Sequence, residues 1–322
     1  MCCIAIDLGG TIIKIGLIEG DEILDFCSFP SHNGGLAKNL PFIEEAVDHL
    51  LDKWKITGER LSGIGLAFPG MVDPEQNRVT STNDKYDDAC GMNLAEWASN
   101  HWGVPFILGN DARLAVLGEW RSGAGEHTRN MVMMTLGTGI GTGVILDGRL
   151  INGRHFQAGS LGGHIVVNYR GRRCTCGNVG CVEAMASSFF LPEIIRTYPG
   201  ISDAFKEKAE LYDFKILFNL MREGNEEAAL ICRECMDVWA AGIVNYIHAY
   251  DPEVIIIGGG IMKSGDIILP YIRDRIDQLV WCPESKKVEI RPSLLGDNAA
   301  LLGISYTLST IKKEKVYEQQ IY

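Results

Sequence analysis

One histidine and three cysteines lie close together between residues 164 and 183, where the chain reads HIVVNYRGRRCTCGNVGCVE. They are His164, Cys174, Cys176 and Cys181, and the thiols follow the spacing C-x-C-x4-C. Proteins commonly bind Zn²⁺ through four such nitrogen and sulfur ligands in a tetrahedral arrangement, which leaves no position for a reactive water. We therefore predict a structural zinc site that also positions the nearby carboxylate of Glu183. Buried free thiols are the alternative, and the short glycine-rich spacing favours the metal.

A second cysteine motif is weaker evidence for chemistry. Cys232 and Cys235 form a C-x-x-C within the helical pattern EEAALICRECMDVWAAGIVNYIHAY. Helical spacing places both thiols toward a core, so packing is favoured over redox chemistry.

The first residues predict a hairpin that could bind phosphate. An apolar strand pattern ends in Asp7-Leu8-Gly9-Gly10-Thr11, and a second strand pattern, IIKIGLIEG, follows at once. Glycine amides can approach a phosphate closely. The Thr11 hydroxyl and the Asp7 carboxylate could hold a metal-bound phosphate or its water. Asp and Gly also suit any tight hairpin, so a purely structural turn is the open alternative.

The same pattern returns about 130 residues later as MVMMTLGTGIGTGVILDG, which indicates an internal duplication. Its turn contains Gly137, Thr138, Gly139 and Gly141. A third glycine cluster, Gly258–Gly260, ends the apolar strand pattern EVIIIGGG, and ligands of α/β sheets bind beyond such strand ends. Together these turns predict a nucleoside triphosphate held between two lobes.

Asn110 and Asp111 follow the strand pattern VPFILG and open the helical pattern ARLAVLGEWRSG. Either residue could cap the helix, but capping needs only one of them. A carboxylate at a strand end could accept the proton of a substrate hydroxyl that attacks phosphorus.

Composition and charge argue against several classes of protein. The 322 residues are 46% hydrophobic and 22% charged, as in ordinary globular proteins. The formal net charge of −11 disfavours nucleic acid and anionic membrane as partners. The strand pattern begins at once, so we expect no helix-turn-helix segment ahead of it and no role as a DNA-binding regulator. We see no export signal and no apolar run long enough for a bilayer, and with ten cysteines a reducing cytoplasm is expected.

These motifs resemble the ROK family of sugar kinases and sugar-responsive repressors, within the actin-like ATPase superfamily. DLGGT, GNDA, LGTGIGTG, CTCGNVGCVE and IIIGGG occur in the family's order and spacing along nearly the whole chain. The cysteine-rich module is the most specific of them. Repressor members carry an N-terminal winged helix that we do not find, so the resemblance implies an ATP-dependent hexose kinase.

The resemblance also implies a role for individual residues. Asp111 matches the catalytic base, which deprotonates a sugar hydroxyl, usually that on C6. The implied sugar contacts are Asn83, Asn110, Asp111, His164 and Glu183, with His164 also a ligand of the structural Zn²⁺. The implied ATP contacts are Asp7, Gly9, Gly10, Thr11, Lys14, Gly137, Thr138, Gly139, Gly141, Gly258, Gly259 and Gly260, and Mg²⁺ would bridge the phosphates.

One departure from the family concerns the sugar. Family glucokinases usually show a glutamate in the pattern E-x-G-H, whereas this chain has Ser160 or Leu161 at that place, ahead of His164. Losing one charged hydrogen bond could remove roughly 1.5 to 3 kcal/mol of binding. Glucose is our single best prediction, and N-acetylmannosamine, fructose or another hexose is the alternative.

Two other classes of function remain open. A catalytically weak sugar-sensing ROK protein fits the missing glutamate, although the complete phosphate hairpins and Asp111 favour a kinase. An actin-like polymerising protein is opposed by the zinc-linked sugar residues. Family members are commonly dimers or tetramers, so a homo-oligomer is expected.

The resemblance implies an α/β, two-lobed, actin-like ATPase (ribonuclease H-like) fold with a zinc-binding loop in the second lobe. The first lobe is expected to contain residues 1–118 and the C-terminal helix 298–322. The second lobe is expected to contain residues 119–297, with the zinc module at 164–183.

Overall fold

The computed structural model describes residues 1–82 and 85–320, which form two compact α/β units. The first unit contains Met1–His127, Asn152–Ala158 and the residues from Asp297 onward, and the second contains Thr128–Ile151 and Gly159–Gly296. The expected boundary at residue 118 falls inside the helix Asp111–Ser122, which belongs wholly to the first unit. Residues 152–158, expected in the second lobe, also belong to the first unit.

The described residues of the first unit form seven strands, and its N-terminal segment also contains three α-helices. Its strands are β1 (Cys2–Leu8), β2 (Ile12–Glu19), β3 (Glu22–Pro30), β4 (Leu61–Phe68), β5 (Met71–Asp73), β6 (Arg78–Ser81) and β7 (Phe106–Asn110). Its first helices are α1 (Leu40–Trp54), α2 (Leu94–Trp102) and α3 (Asp111–Ser122).

Five of these strands form one mixed sheet in the order β3-β2-β1-β4-β7, and β5 pairs with β6. The pairs β1–β2 and β2–β3 are antiparallel hairpins, whereas β1, β4 and β7 run parallel. Every residue of β1 except Asp7 is buried, as expected for a strand covered on both faces. The carboxyl ends of the parallel strands share one edge of the sheet, where ligands of α/β folds bind.

The second unit contains five strands and six α-helices. Its strands are β8 (Met131–Leu136), β9 (Ile140–Leu146), β10 (Arg149–Leu150), β11 (Val254–Gly258) and β12 (Glu289–Pro292). Its helices are α4 (Val182–Ala186), α5 (Leu191–Thr197), α6 (Asp203–Lys206), α7 (Phe214–Arg222), α8 (Glu226–Tyr250) and α9 (Gly265–Leu279).

The sheet of the second unit repeats the topology of the first. Its order is β10-β9-β8-β11-β12, with two antiparallel hairpins followed by the parallel strands β8, β11 and β12. In both units the first strand lies in the middle and its hairpin partner lies beside it. The internal duplication that the glycine turns predict is therefore present in the fold.

Helix α8 packs its inner face into the core of the second unit. Asn225 caps it by accepting a hydrogen bond from the Ala228 amide at 2.8 Å. Cys232 and Cys235 are fully buried, and burial raises the pKa of Cys232 to about 12 and that of Cys235 as well. Thiols that stay protonated are poor nucleophiles, so the packing interpretation agrees with the structure.

The last helix, α10 (Ala299–Gln320), belongs to the first unit and packs closely against α3. A Cβ atom placed on Gly303 would lie 1.8 Å from the Leu114 carbonyl oxygen, and one on Gly118 would lie 2.0 Å from the Ala299 carbonyl oxygen. Only glycine permits this backbone approach. The contact fixes α3, whose first residue is Asp111, against the rest of the unit.

Among the described residues, we find no helix that combines the length and the apolar character needed to cross a membrane.

Candidate functional site

The first glycine turn connects β1 to β2 and presents open amides. A Cβ atom on Gly9 would lie 2.4 Å from the carbonyl oxygen of Ile12, so a larger residue does not fit. The Gly9 amide donates to the Asp7 carbonyl oxygen at 3.1 Å. Within residues 1–82 and 85–320, no acceptor binds the amides of Gly10 and Thr11. These two amides and the Thr11 hydroxyl can therefore bind an anion.

Charged groups flank this turn. Asp7 and Lys14 are paired across the hairpin, and the Lys14 Nζ lies 3.7 Å from the Asp7 Oδ2 and 3.3 Å from the Asp297 Oδ1. Burial raises the pKa of Asp7, and the charge of Lys14 acts in the opposite direction. Lys14 thus places a cation between two carboxylates beside the turn, which suits a phosphate with its metal ion.

Asn110, rather than Asp111, provides the side-chain cap of α3. The Asn110 Oδ1 caps α3 by accepting the Arg113 amide at 3.1 Å. Its Nδ2 donates to the Gly70 carbonyl oxygen at 3.0 Å and to the Asp111 Oδ1 at 2.9 Å. The Asp111 Oδ1 also accepts the Ala112 amide at 2.7 Å. Asn110 therefore holds the carboxylate of Asp111 in one orientation.

The pKa of the Asp111 carboxyl is raised toward neutral pH. Burial, and secondly the charge of Asp7, raise the pKa of Asp111 to about 7. The sheet register explains the second cause, since Asp7 pairs with Ala67 on β4 and Ala67 pairs with Gly109 on β7. Both carboxylates thus lie at the carboxyl edge of one sheet, two strands apart. A base with a pKa near neutral pH can accept a proton and release it again.

The second glycine turn is bound directly to Glu183. The Glu183 Oε2 accepts the Ile140 amide at 2.8 Å, and a Cβ atom on Gly139 would lie 2.6 Å from the same oxygen. Amides that follow α4 reach this turn as well: Ser188 donates to the Gly137 carbonyl oxygen at 3.0 Å and Phe189 to that of Thr138 at 3.1 Å. The turn and the helix carrying Glu183 therefore form one connected structure.

The third glycine cluster lies at the carboxyl edge of the second sheet. Gly258 pairs with Thr135 on β8, so the ends of β8 and β11 meet there. Gly259 has a φ of +91°, and a Cβ atom on it would lie 2.2 Å from the Leu136 carbonyl oxygen. Gly260 has open space around it. A ligand can therefore approach the backbone at Gly260.

The four predicted metal ligands come together. The ligand atoms of His164, Cys174, Cys176 and Cys181 all lie within 4.8 Å of one another. The His164 Nδ1 is 3.7 Å from the Cys174 Sγ, and the Sγ atoms of Cys176 and Cys181 are also 3.7 Å apart. A tetrahedral zinc site with Zn–S bonds of about 2.3 Å requires sulfur–sulfur separations of about 3.8 Å. The cluster therefore fits zinc.

The segment that enters this cluster lies against β9. The Thr142 Oγ1 donates to the Gly159 carbonyl oxygen at 2.7 Å and accepts the Gly162 amide at 2.8 Å. A Cβ atom on Gly163 would lie 2.0 Å from the Ile140 carbonyl oxygen. Ser160 and Leu161 lie between these fixed points, and the Leu161 side chain is 37% exposed.

Sequence reasoning missed two arginines that hold these loops. Arg113 is only 6% exposed, and its guanidinium donates to the Ala158 carbonyl oxygen at 3.1 Å and to the Asn152 Oδ1. It therefore attaches residues 152–158 to the helix that carries Asp111. Arg172 donates to the Ala184 carbonyl oxygen at 3.0 Å and pairs with Glu193 at 2.9 Å, which attaches the cysteine-rich loop to α4 and α5.

A third missed group surrounds the first glycine turn. The Lys85 Nζ donates to the Ser31 Oγ at 3.1 Å, and the Ser31 Oγ donates to the Gly10 carbonyl oxygen at 3.0 Å. The Tyr86 hydroxyl donates to the Gly9 carbonyl oxygen at 2.9 Å. Asn83, a predicted sugar contact, lies outside the described residues.

Two units with the same strand order, each with a glycine turn after its first strand, define the actin-like ATPase fold. The sequence model of the ROK family matches residues 3–310, and the chain belongs to this family. The glucokinase of Thermotoga maritima is 32% identical over 320 residues, covering 97% of this chain and 98% of that protein. The xylose repressor of Bacillus spizizenii is 29% identical over 306 residues, covering 94% of this chain and 75% of the repressor.

Solved structures show the same relationship. A ROK family glucokinase from Streptomyces griseus, in complex with glucose and AMPPNP, matches this structure with a TM-score of 0.76 at 26% sequence identity. The match covers 94% of this chain and 98% of the glucokinase. The family prediction from the sequence motifs is confirmed.

Proposed function

We propose that this protein transfers the γ-phosphoryl group of ATP to a hexose hydroxyl, with the C6 hydroxyl of glucose as the best single candidate. The observation that carries the proposal is Asp111, a carboxylate oriented by Asn110 and by the start of α3, with its pKa raised to about 7. Similarity to glucokinases, including one that binds glucose and AMPPNP, supports the choice of substrates.

Each unit would contribute its own part to the reaction. In the first, Asp111 would accept the proton of the attacking hydroxyl, while Gly9, Gly10, Thr11 and Lys14 would contact the phosphates of ATP. In the second, the turn from Gly137 to Gly141 and the cluster Gly258–Gly260 would contact the nucleotide.

Mg²⁺ would accompany ATP in this reaction. The oxygen ligands that this ion prefers are present in the first unit, where the carboxylates of Asp7 and Asp297 flank Lys14. When bound, the ion neutralises charge on the phosphate oxygens.

The zinc site would be structural. His164, Cys174, Cys176 and Cys181 supply all four ligands, so the ion would stabilise the loop without binding a reactive water. His164 and Glu183 would then hydrogen-bond the sugar. The hydrogen bond from the Ile140 amide holds the Glu183 carboxylate at the second glycine turn, which supports such a role.

The identity of the sugar is the finer part of the proposal. Neither Ser160 nor Leu161 carries the carboxylate expected in the pattern E-x-G-H, so N-acetylmannosamine, fructose or another hexose is the alternative substrate. A sugar-sensing protein with weak catalysis is the second candidate, and similarity to a xylose repressor favours it. A dimer or tetramer and a cytoplasmic location stay predictions.

A coupled assay of ADP release tests the proposal. Purified protein with Mg²⁺ and ATP is mixed separately with glucose, mannose, fructose, allose, N-acetylglucosamine and N-acetylmannosamine, and a sample without sugar gives the background. Turnover of one sugar well above background is the expected result. Sugar binding in calorimetry with no turnover of any sugar would support the sensor and contradict the kinase.

A further inference from the structure

Lys85, which is not among the predicted site residues, lies along the first glycine turn. The Cδ and Nζ atoms of Lys85 are both 3.9 Å from the position that a Cβ atom on Gly10 would occupy. The ammonium donates to the Ser31 Oγ at 3.1 Å and lies 5.3 Å from the centre of the Tyr86 ring. Three residues that are distant from β1 in sequence thus surround the turn between β1 and β2.

The charge of Lys85 has no acidic partner in the described part of the chain. Its contacts there are a neutral hydroxyl and an aromatic ring, whereas Lys14 on the same hairpin pairs with Asp7 and Asp297. Lys85 is also partly exposed. A cation beside open backbone amides attracts an anion.

The ammonium is not needed to complete the hydrogen bonds of the turn. The Gly10 carbonyl oxygen already accepts the Ser31 hydroxyl at 3.0 Å, and the Gly9 carbonyl oxygen accepts the Tyr86 hydroxyl at 2.9 Å. Removing the Lys85 side chain would leave both bonds intact. A purely structural role therefore does not account for the charge.

We propose that Lys85 is a second cationic residue of the phosphate site, which contacts the γ-phosphoryl group of ATP bound at Gly10 and Thr11. This inference rests on the proposed kinase function. In the reaction, a bond forms between the sugar oxygen and the γ-phosphorus while the bond from that phosphorus to the bridging oxygen breaks. The electron pair of the broken bond stays on ADP, and the hydroxyl proton passes to Asp111.

Lys85 stabilises the negative charge that spreads over the transferred phosphoryl oxygens during this step. Ser31 is a positioning residue. Its hydroxyl accepts a hydrogen bond from the Lys85 ammonium and donates one to the Gly10 carbonyl oxygen. Lys14 lies on the strand side of the hairpin with Asp7, so the two lysines approach the turn from different elements.

Four variants test the proposal: Lys85→Met, Lys85→Arg, Ser31→Ala and Lys38→Met. Lys38 is an exposed lysine of the same unit whose Nζ lies beside Gly34, 2.6 Å from the position of a Cβ atom there, so its variant removes the same charge at a different place. Steady-state kinetics with ATP and the preferred sugar is combined with calorimetric binding of AMPPNP and Mg²⁺. Unfolding midpoints of all variants identify any loss of structure.

Lys85→Met should lower kcat/KM for ATP about 100-fold, as removal of one preorganised donor does, with the KM for sugar nearly unchanged. Lys85→Arg should recover part of the loss, because it keeps the charge. Ser31→Ala should cost much less than Lys85→Met, and Lys38→Met should match the wild type.

Three results would overturn the inference: wild-type kinetics for Lys85→Met, an equal loss for Ser31→Ala, or a loss confined to the KM for sugar. Equal losses of activity in Lys85→Met and Ser31→Ala would mean that Lys85 only supports the conformation of the turn and does not contact the phosphate. Binding of AMPPNP separates the inference from the function. If the wild type phosphorylates no sugar, weaker AMPPNP binding by Lys85→Met still supports the phosphate contact, and equal binding contradicts it.

Discussion

Replacing Asp111 with asparagine should abolish catalysis and stabilise the folded protein. Its carboxyl pKa is raised from 3.8 to about 7, mainly by burial. The folded state therefore binds a proton more tightly than the unfolded state does, and ionised Asp111 destabilises the fold. This cost begins above the unfolded pKa of 3.8, grows as pH rises and is complete above about pH 7.

The size of the effect follows from the shift in pKa. Moving a carboxyl pKa from 3.8 to about 7 corresponds to at most about 4 kcal/mol of lost stability above pH 7. Asp111 is partly exposed, and asparagine gives up roughly 0.3–1 kcal/mol of interaction with the start of α3. Asparagine can still accept the Ala112 amide. We expect a net gain of about 1–3 kcal/mol at pH 8, falling toward zero near pH 4.

Urea unfolding at a series of pH values between 4 and 8.5 measures this gain. Four of the six tryptophans lie in the first unit, so fluorescence reports on the unit that contains Asp111. Asp203→Asn is the matched control, because Asp203 also opens a helix but is exposed. A gain that does not depend on pH, or a loss of stability in Asp111→Asn at pH 8, would refute the reasoning.

Further predictions concern pH, the metal site and the helix contact. Because the proposed base Asp111 can accept a proton only when ionised, kcat/KM for the sugar should fall about tenfold per pH unit below pH 7; a flat profile between pH 5 and 8 would contradict this. Cys176→Ser should lose zinc, measured by metal analysis, and weaken sugar binding, while the exposed Cys90→Ser keeps both; retained zinc would exclude the proposed ligand set. Gly303→Ala should destabilise the first unit by roughly 2 kcal/mol or more, measured by urea unfolding, because its Cβ would lie 1.8 Å from a carbonyl oxygen. Gly58→Ala, where a Cβ atom meets nothing within 4 Å, is its control, and equal midpoints would argue against the close contact.

Features with a local pattern could be predicted from the sequence. The four metal ligands lie within 18 residues, and zinc chemistry dictates their types, so their clustering was predictable. The glycine turns recur after similar strand patterns, which indicated the duplication. The helical spacing of Cys232 and Cys235 indicated their burial.

Features that depend on distant contacts could not be predicted. Lys85 reaches Gly10 from 75 positions away, and Glu183 binds Ile140 across 43 positions. Arg113 attaches residues 152–158 to the first unit, which also explains why those residues depart from the expected lobe. No local spacing encodes such contacts, because they arise only when the sheet places separate segments side by side.

The most direct test of the kinase proposal is ³¹P NMR of a reaction containing the protein, Mg²⁺, ATP and glucose, with Asp111→Asn in parallel. The wild type should convert ATP into ADP and an equal amount of a sugar phosphate monoester, and Asp111→Asn should leave ATP intact. If the reaction with glucose yields no ester, the sugar panel is run the same way. Release of inorganic phosphate alone, or ester formation by Asp111→Asn at the wild-type rate, would contradict the account.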